Sequence, residues 1–239
     1  SGKRVALREN TLQDEELLPA TGDDRARLLQ FVTVSIGLVC LAFDILPFAW
    51  SNPTQYLTYF VMASLAVWFR VKLPTPNGAL SIHFLFLLIG LVDLTRSEMV
   101  LLAGACALIE SVVERDTHQD RLQSAFRIAV AVIATHLAAR THAAIAWHGS
   151  LGEEFVRLAP AALTLFLATS FPPALAEAWN HSRSVLPTWR ENGIWAVPFS
   201  LAGAAIAACY AALSERIGWQ LSVLALPTVT SAAILHVDQ

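Results

Sequence analysis

The stretch LLQFVTVSIGLVCLAFDILPFAW, residues 28–50, decides the fold class of this chain. It is 23 residues long and contains a single charged side chain, Asp44. A helix that crosses about 30 Å of hydrocarbon needs about 20 predominantly apolar residues, so this stretch is long enough to span a membrane. The whole chain agrees, since 55% of its 239 residues are hydrophobic and 15% are charged, against about 25% charged in soluble domains. We expect an integral membrane protein.

Seven further apolar segments follow, separated by short polar breaks. They cover residues 55–69, 80–94, 98–113, 122–139 with an extension towards 147, 155–176, 194–213 and 217–235. Backbone groups in lipid must be satisfied within the segment, which favours helices, whereas barrel strands of about 10 residues alternate apolar and polar side chains. The prediction is an all-α transmembrane helix bundle of about eight spans. Six or seven spans also fit, because the third and fourth segments are short. Prolines at 160, 172 and 173 are expected to kink or end the sixth.

Charge placement predicts the domains and the orientation. Residues 1–27 carry eleven charged side chains and are interpreted as a soluble, partly disordered cytoplasmic arm, followed by a transmembrane domain over 28–235 and a tail over 236–239. With the N-terminus inside, eleven Lys and Arg residues fall in inner segments and four in outer ones. Because basic residues are enriched on the cytoplasmic side, this predicts a multi-pass membrane protein with both termini cytoplasmic.

Ionisable side chains inside spans are costly, so each suggests a function. Asp44, Asp93 and His136 all fall in the outer half and are candidates for an outward-facing ligand pocket, with His83 at the start of the third segment as a further candidate. The competing interpretation is that each is a hydrogen-bonded core residue.

Two further features of the predicted spans concern packing. Glu110 and Arg127 lie near the inner ends of the fourth and fifth segments, and a short hairpin over 114–121 joins these segments, so they are predicted to form a structural ion pair. A ligand or relay role is the alternative. The seventh segment carries a small-residue stripe, which favours internal packing over a homodimer contact. The stripe consists of Ser200, Gly203, Ala204, Ala207, Ala208 and Ala211.

No catalytic constellation is found in the sequence. It contains no P-loop, GxSxG, HExxH or GxGxxG motif, so we expect no enzyme activity in this chain. Cys40, Cys106 and Cys209 stand alone in apolar runs, so neither a metal nor any other cofactor is expected. The net charge of −3 lacks the basic excess of nucleic-acid binders, so nucleic acid is not an expected partner.

Two stretches carry a resemblance to a known family. VKLPTPNGALSIHFLFLLIG, residues 71–90, and WRENGIWAVPFSLAGAAIA, residues 189–207, resemble the N-terminal multi-helix membrane sensor region of bacterial, acidobacterial-type signalling proteins. There it precedes HD-GYP phosphodiesterase or GGDEF diguanylate cyclase domains, and the resemblance covers roughly residues 28–230. This chain departs from the pattern at Glu110 and Arg127, where the family has amides. The sequence stops at Gln239, where family members continue into a linker and a catalytic domain, so we expect either a stand-alone sensor or a truncated chain. The resemblance also implies that the protein lies in a bacterial inner membrane.

The resemblance implies a sensor domain of cyclic dinucleotide signalling, which would pass an unknown signal to a cytoplasmic output domain or partner. The inner connections are then candidates for the output surface. Its candidate residues are Lys72, Pro74, Gly78, Trp189 and Trp195. The alternative is a small-molecule binding or transport subunit similar to the S-components of energy-coupling-factor transporters. Expected partners are the lipid bilayer, the output domain or signalling protein, and a second copy of the chain.

Overall fold

The computed structural model describes residues 22–46, 51–67, 70–72, 79–81, 83–113, 121–145, 151–181, 183–193 and 196–218. These residues form eight α-helices and one two-stranded ribbon. The helices are α1 Gly22–Ile45, α2 Pro53–Val67, α3 His83–Asp93, α4 Arg96–Val113, α5 Arg121–Ala144, α6 Leu151–Asn180, α7 Val185–Gly193 and α8 Ala196–Ile217. The strands are β1 Arg70–Lys72 and β2 Ala79–Ser81, which pair antiparallel with Val71 opposite Leu80.

The all-α prediction is confirmed, and within the described residues four helices are long and apolar enough to cross a membrane. These apolar segments are Asp24–Ile45, Arg121–Ala144, Glu154–Asn180 and Val197–Ser214. The first seven predicted segments each contain a helix. The eighth, residues 217–235, lies outside the described residues beyond Gly218, as do residues 1–21 of the predicted arm and the predicted tail.

Three boundaries differ from the sequence prediction. Helix α1 begins at Gly22, so six residues assigned to the arm are helical. The third segment becomes helical at His83, because residues 79–81 pair with β1. Helix α6 continues past Pro172 and Pro173 to Asn180. Proline inside a helix costs about 3 kcal/mol, but α6 packs against α1, α5, α7 and α8, and this tertiary packing holds the helical path.

Helix α7 lies between the sixth and seventh predicted segments, where the sequence predicts no span. Its Trp189 anchors it to α6: the indole Nε1 donates to Ser170 Oγ at 3.0 Å, and the ring lies 6.3 Å from that of Phe166. The segment was too short and too polar to be recognised as a span, and a helix of this length depends on packing for its stability.

Helix α1 is apolar on the outside and polar or small on the inside. The residues that face the bundle recur at alternating spacings of four and three: Ala26, Gln30, Thr33, Gly37, Cys40 and Asp44. Its large apolar side chains point outward, with Leu28, Phe31 and Phe43 exposed by 67%, 60% and 70%. A helix in water shows the opposite pattern, with the apolar stripe facing the core. Small and polar residues at helix contacts are typical of bundles in lipid.

The core lies between α3 and its neighbours. Leu88 and Ile89 of α3 are fully buried, and α3 packs against α2, α4 and α8. The small-residue stripe of α8 is buried here, which confirms the internal-packing prediction. A Cβ on Gly203 would lie 3.2 Å from Leu88 Cδ1, so α8 approaches α3 closely at the stripe.

Candidate functional site

Several polar clusters gather at one end of the bundle, which we call the Asp44 end. It comprises the end of α1, the start of α2, the end of α3, the start of α4, the end of α5, the start of α6 and the end of α8. Hydrogen bonds between residues far apart in sequence join these helix ends. The opposite end, with the ribbon and α7, is called the Trp189 end.

Asp44 and His136 bind each other between α1 and α5. Nδ1 of the imidazole lies 2.6 Å from Oδ2 of the carboxylate. The Asp44 side chain is 4% exposed and that of His136 is 15% exposed. An ionised carboxylate can only accept, so the hydrogen lies on Nδ1. Ser97 at the start of α4 fixes the same corner, since its Oγ donates to the Asp44 carbonyl oxygen at 2.6 Å.

The close approach of α1 and α5 explains this pairing. A Cβ on Gly37 would lie 2.7 Å from the Cβ of Ala129 and 2.9 Å from its Cα, so the two backbones touch there. Asp44 lies seven residues after Gly37, and His136 lies seven residues after Ala129, so both pairs are separated by 92 residues in the sequence. Seven residues are about two helical turns. The helices therefore run parallel and in register from the Gly37 contact to the Asp44–His136 pair.

Asp93 does not join that pair but forms a second cluster with two tyrosines. Its Oδ2 lies 2.6 Å from the Tyr59 hydroxyl and 3.0 Å from the Tyr210 hydroxyl, and the two hydroxyls are 2.7 Å apart. Tyr59 on α2 is fully buried and Tyr210 on α8 is 4% exposed. Phenol donors stabilise the carboxylate where water is excluded. The predicted three-residue pocket is therefore divided between two places.

Glu98 is a fully buried carboxylate, and it caps α4. Its side chain accepts from the backbone N–H of Thr95 at 2.9 Å, while the Thr95 hydroxyl accepts from the Glu98 N–H at 3.4 Å. This reciprocal arrangement is a capping box. Oε1 of Glu98 also accepts from the backbone N–H of Ser51 at 3.1 Å, so the same side chain ties α4 to the residues before α2.

A fourth cluster joins α5 to α6. Nε2 of His142 lies 3.1 Å from Oε1 of Glu154, whose Oε2 accepts from Arg157 at 3.2 Å. Glu154 is therefore neutralised by a neighbour one turn along its own helix. Within the described residues, no three His, Cys, Asp or Glu side chains are grouped as a metal site requires.

The remaining predicted residues lie at the Trp189 end or outside the described residues. His83 begins α3, and Glu110 and Arg127 lie on α4 and α5, which pack together, so their ion pair stays a prediction. Of the candidate output surface, Lys72 lies in β1 and Trp189 in α7, next to Ser170. The other candidates, Pro74, Gly78 and Trp195, lie outside the described residues.

Sequence reasoning missed the partners of the buried carboxylates. The Thr95–Glu98 cap was readable as the T-x-x-E signature before an apolar run. Tyr59 and Tyr210 had a weaker signal: each lies inside an apolar segment, and a buried phenol needs a hydrogen-bond partner. Nothing in the sequence pairs them with Asp93.

Comparison with protein-family models, with curated proteins and with solved structures finds no match to this chain.

Proposed function

We propose that this chain is a polytopic, membrane-embedded sensory domain that passes a signal to a cytoplasmic output domain or partner. The observation that carries the proposal is the Asp44–His136 pair, an ionisable contact held inside an apolar bundle between a peripheral helix and a central one. Ionisable groups in such surroundings are costly to keep. The pair gives α1 a contact that a signal can strengthen or break.

The membrane setting rests on α1. An inward face of small and polar residues with an outward face of Leu, Phe and Val is stable when the surrounding solvent is lipid. The proposed topology has eight spans, namely α1 to α6, α8 and residues 217–235. Helix α3, with 11 residues, is about 17 Å long at 1.5 Å per residue. If α3 and α4 instead form a partly re-entrant hairpin, the topology has six spans.

The proposed orientation places the Trp189 end in the cytoplasm. It follows the predicted excess of basic residues on that side. Residues 1–21, which precede α1, then lie on the same side as the ribbon and α7. In this arrangement the Asp44 end faces outward and receives the signal, and the Trp189 end presents the surface that the partner reads.

A sensory role is supported over transport by how the candidate residues are used. Asp44 and His136 bind each other, and Asp93 is bound by two phenols. A transport subunit would turn such groups towards a ligand cavity. Side chains that are hydrogen-bonded to other side chains of the bundle suit a domain that alternates between two arrangements. A stimulus shifts the equilibrium between these arrangements only if it favours one of them.

The test is to separate signalling from flux. The full chain and its Asp44→Asn variant are expressed in a bacterial host whose own copy is deleted, and transcript profiles and cyclic dinucleotide levels are measured while the medium is changed. The proposal expects a response that the variant loses at equal protein level. Reconstituted vesicles should show no solute accumulation above empty vesicles. Uptake that depends on the chain, without any cellular response, would identify a transporter instead.

A further inference from the structure

We propose that the Asp44–His136 pair is a proton-binding site that couples pH to the contact between α1 and α5. The stimulus is then the proton itself, bound from the side of the membrane at which the Asp44 end lies. The signalling role of this site rests on the proposed function above. Its chemistry rests on geometry alone, so the two are tested by different measurements.

The first step is the charge of the pair. With His136 neutral, the pair carries the single negative charge of Asp44 in a place that is 4% exposed. A proton on Nε2 makes His136 a cation while Nδ1 keeps its bond to Asp44, so the pair becomes internally neutral. Attraction between opposite charges at 2.6 Å is far stronger in a low-dielectric interior than in water. Protonation therefore strengthens this contact.

The second step is the linkage to helix position. The proton is held more tightly when Asp44 is adjacent than when α1 has moved away. By reciprocity, proton binding favours the arrangement in which α1 and α5 are in contact. The contact is therefore stabilised while the proton is bound, and this stabilisation is lost when rising pH removes the proton. Histidine is the side chain that ordinarily titrates between about pH 5 and pH 8.

The third step concerns the other charged groups near the pair, which are either hydrogen-bonded to other residues or exposed. On the elements that pack against α1 and α5 at this end, the titratable and charged groups whose side chains the structure describes are Cys40, Asp93, Arg96, Glu98, Arg140, His142, Glu154 and Arg157. The three carboxylates among them have hydrogen-bond donors of their own. Arg96 and Arg140 are exposed. Asp44 is thus the carboxylate that determines the charge of His136.

The fourth step is how a change at the pair reaches the rest of the molecule. The tight contact between Gly37 and Ala129 lies two turns away on the same two helices and leaves no room for them to approach further there. A weaker Asp44–His136 contact therefore lets α1 tilt about the Gly37 contact. Helix α1 is continuous from Gly22 to Ile45, so its tilt also moves its Gly22 end.

The experiment measures the separation of α1 and α5 against pH. The full chain, with its three cysteines replaced by alanine, is labelled with spin labels at Phe43 on α1 and Arg140 on α5, which are both exposed. It is placed in lipid nanodiscs, and the distance distribution is recorded from about pH 5 to pH 8. We expect a shorter population that grows as the pH falls. His136→Gln and Asp44→Asn should each remove that dependence.

His142→Gln is the matched control, since it removes a histidine from the same helix that binds Glu154. It should leave the pH dependence of the Phe43–Arg140 distance intact. A distance that does not change with pH, or one that still changes in His136→Gln, overturns the proposal, as does loss of the dependence in His142→Gln. If the distance responds as expected but cells show no signalling response, the proton site stands and the sensory function fails.

Discussion

Asp44, which is buried, and Asp93, which is partly buried, are both carboxylates of the Asp44 end, yet the bundle satisfies them in different ways. Asp44 lies at the edge, where α1 meets α5, and its partner is the titratable ring of His136. Asp93 lies among α2, α3 and α8, and its partners are the phenols of Tyr59 and Tyr210. The partner of Asp44 is an imidazole, the side chain type that ordinarily changes its charge between about pH 5 and pH 8, whereas the partners of Asp93 are neutral phenol donors.

The helices that carry the two clusters differ as well. Helix α1 lies at the edge of the bundle: four of the 22 residues of its apolar segment are buried, namely Ala26, Thr33, Gly37 and Asp44, and its large apolar side chains are exposed. Helix α3 is almost entirely buried. Loss of the Asp93 cluster should therefore destabilise the fold, while loss of the Asp44 pair should mainly release α1.

The largest effect is expected at the Asp93 cluster. Tyr59→Phe keeps the ring but removes a hydroxyl that lies 2.6 Å from Asp93 and 2.7 Å from Tyr210. Hydrogen bonds to charged groups contribute about 1.5–3 kcal/mol, so a loss of about 2–3 kcal/mol is expected. Denaturant unfolding in detergent micelles measures it. Tyr210→Phe should cost less, because its distance to Asp93 is 3.0 Å. The reverse order would show that Tyr59 is not the principal donor.

The next effect concerns the backbone contact beside the Asp44 pair. Gly37→Ala places a methyl group against the Cβ and backbone of Ala129, where no flexible side chain can yield. Overpacking of this kind costs about 1–3 kcal/mol. Gly104→Ala is the control on α4, since its Cβ would meet only Val132 Cγ2, at 3.5 Å. Thermal unfolding of both variants should separate them, and equal losses would mean that α1 and α5 are not in close contact.

A double-mutant cycle tests whether the two carboxylates are independent. Asp44→Asn and His136→Gln should show a coupling energy of about 1–2 kcal/mol at pH 6, because they contact each other. The coupling should be smaller at pH 8. Asp93→Asn combined with His136→Gln should be additive within about 0.5 kcal/mol, since these residues belong to separate clusters. Strong coupling in the second cycle would mean that Asp93 and His136 interact and that the two clusters are not independent.

The smallest effect is expected at the α4 cap. Glu98→Gln retains one oxygen, which can accept from the Thr95 N–H as glutamine does in capping boxes, and the Ser51 hydroxyl can turn to accept from the new NH2 group. The bond from the Ser51 backbone N–H to Oε1 is lost. The expected loss is about 1 kcal/mol or less. Glu98→Ala, which removes every acceptor, should lose more. Hydrogen exchange at the first turn of α4 would locate the change, and protection equal to wild type in Glu98→Ala would argue against the cap.

Fold class and most helices could be predicted because long apolar runs have one stable form in lipid. The alternating four and three spacing of small and polar residues in α1 was also present in the sequence, although its inward orientation required the structure. Helix α7 could not be found in this way. Its nine residues are held by a Trp189–Ser170 bond, and such contacts between distant residues leave no periodic pattern.

The candidate site was predicted in part, since Asp44, Asp93 and His136 do lie at one end of the bundle. Depth in a span could be read from the sequence, but the face on which each side chain lies depends on how the helices pack. His136 meets Asp44 because Gly37 and Ala129 fix the register of α1 against α5. Asp93 lies instead where α2 and α8 bring two phenols.

The separation of 92 residues between Asp44 and His136 has a consequence for biosynthesis. A ribosome adds about 5–20 residues per second, so α1 is complete about 5–18 s before its partner has been synthesised. In the proposed membrane setting, the Asp44 carboxylate enters the bilayer without His136 during that interval. Its place in the last turn of α1 lets it reach the headgroup region, where water can solvate it until α5 is inserted. An aspartate two turns deeper, at the position of Gly37, would not reach the solvated headgroup region and would hinder insertion of the nascent helix.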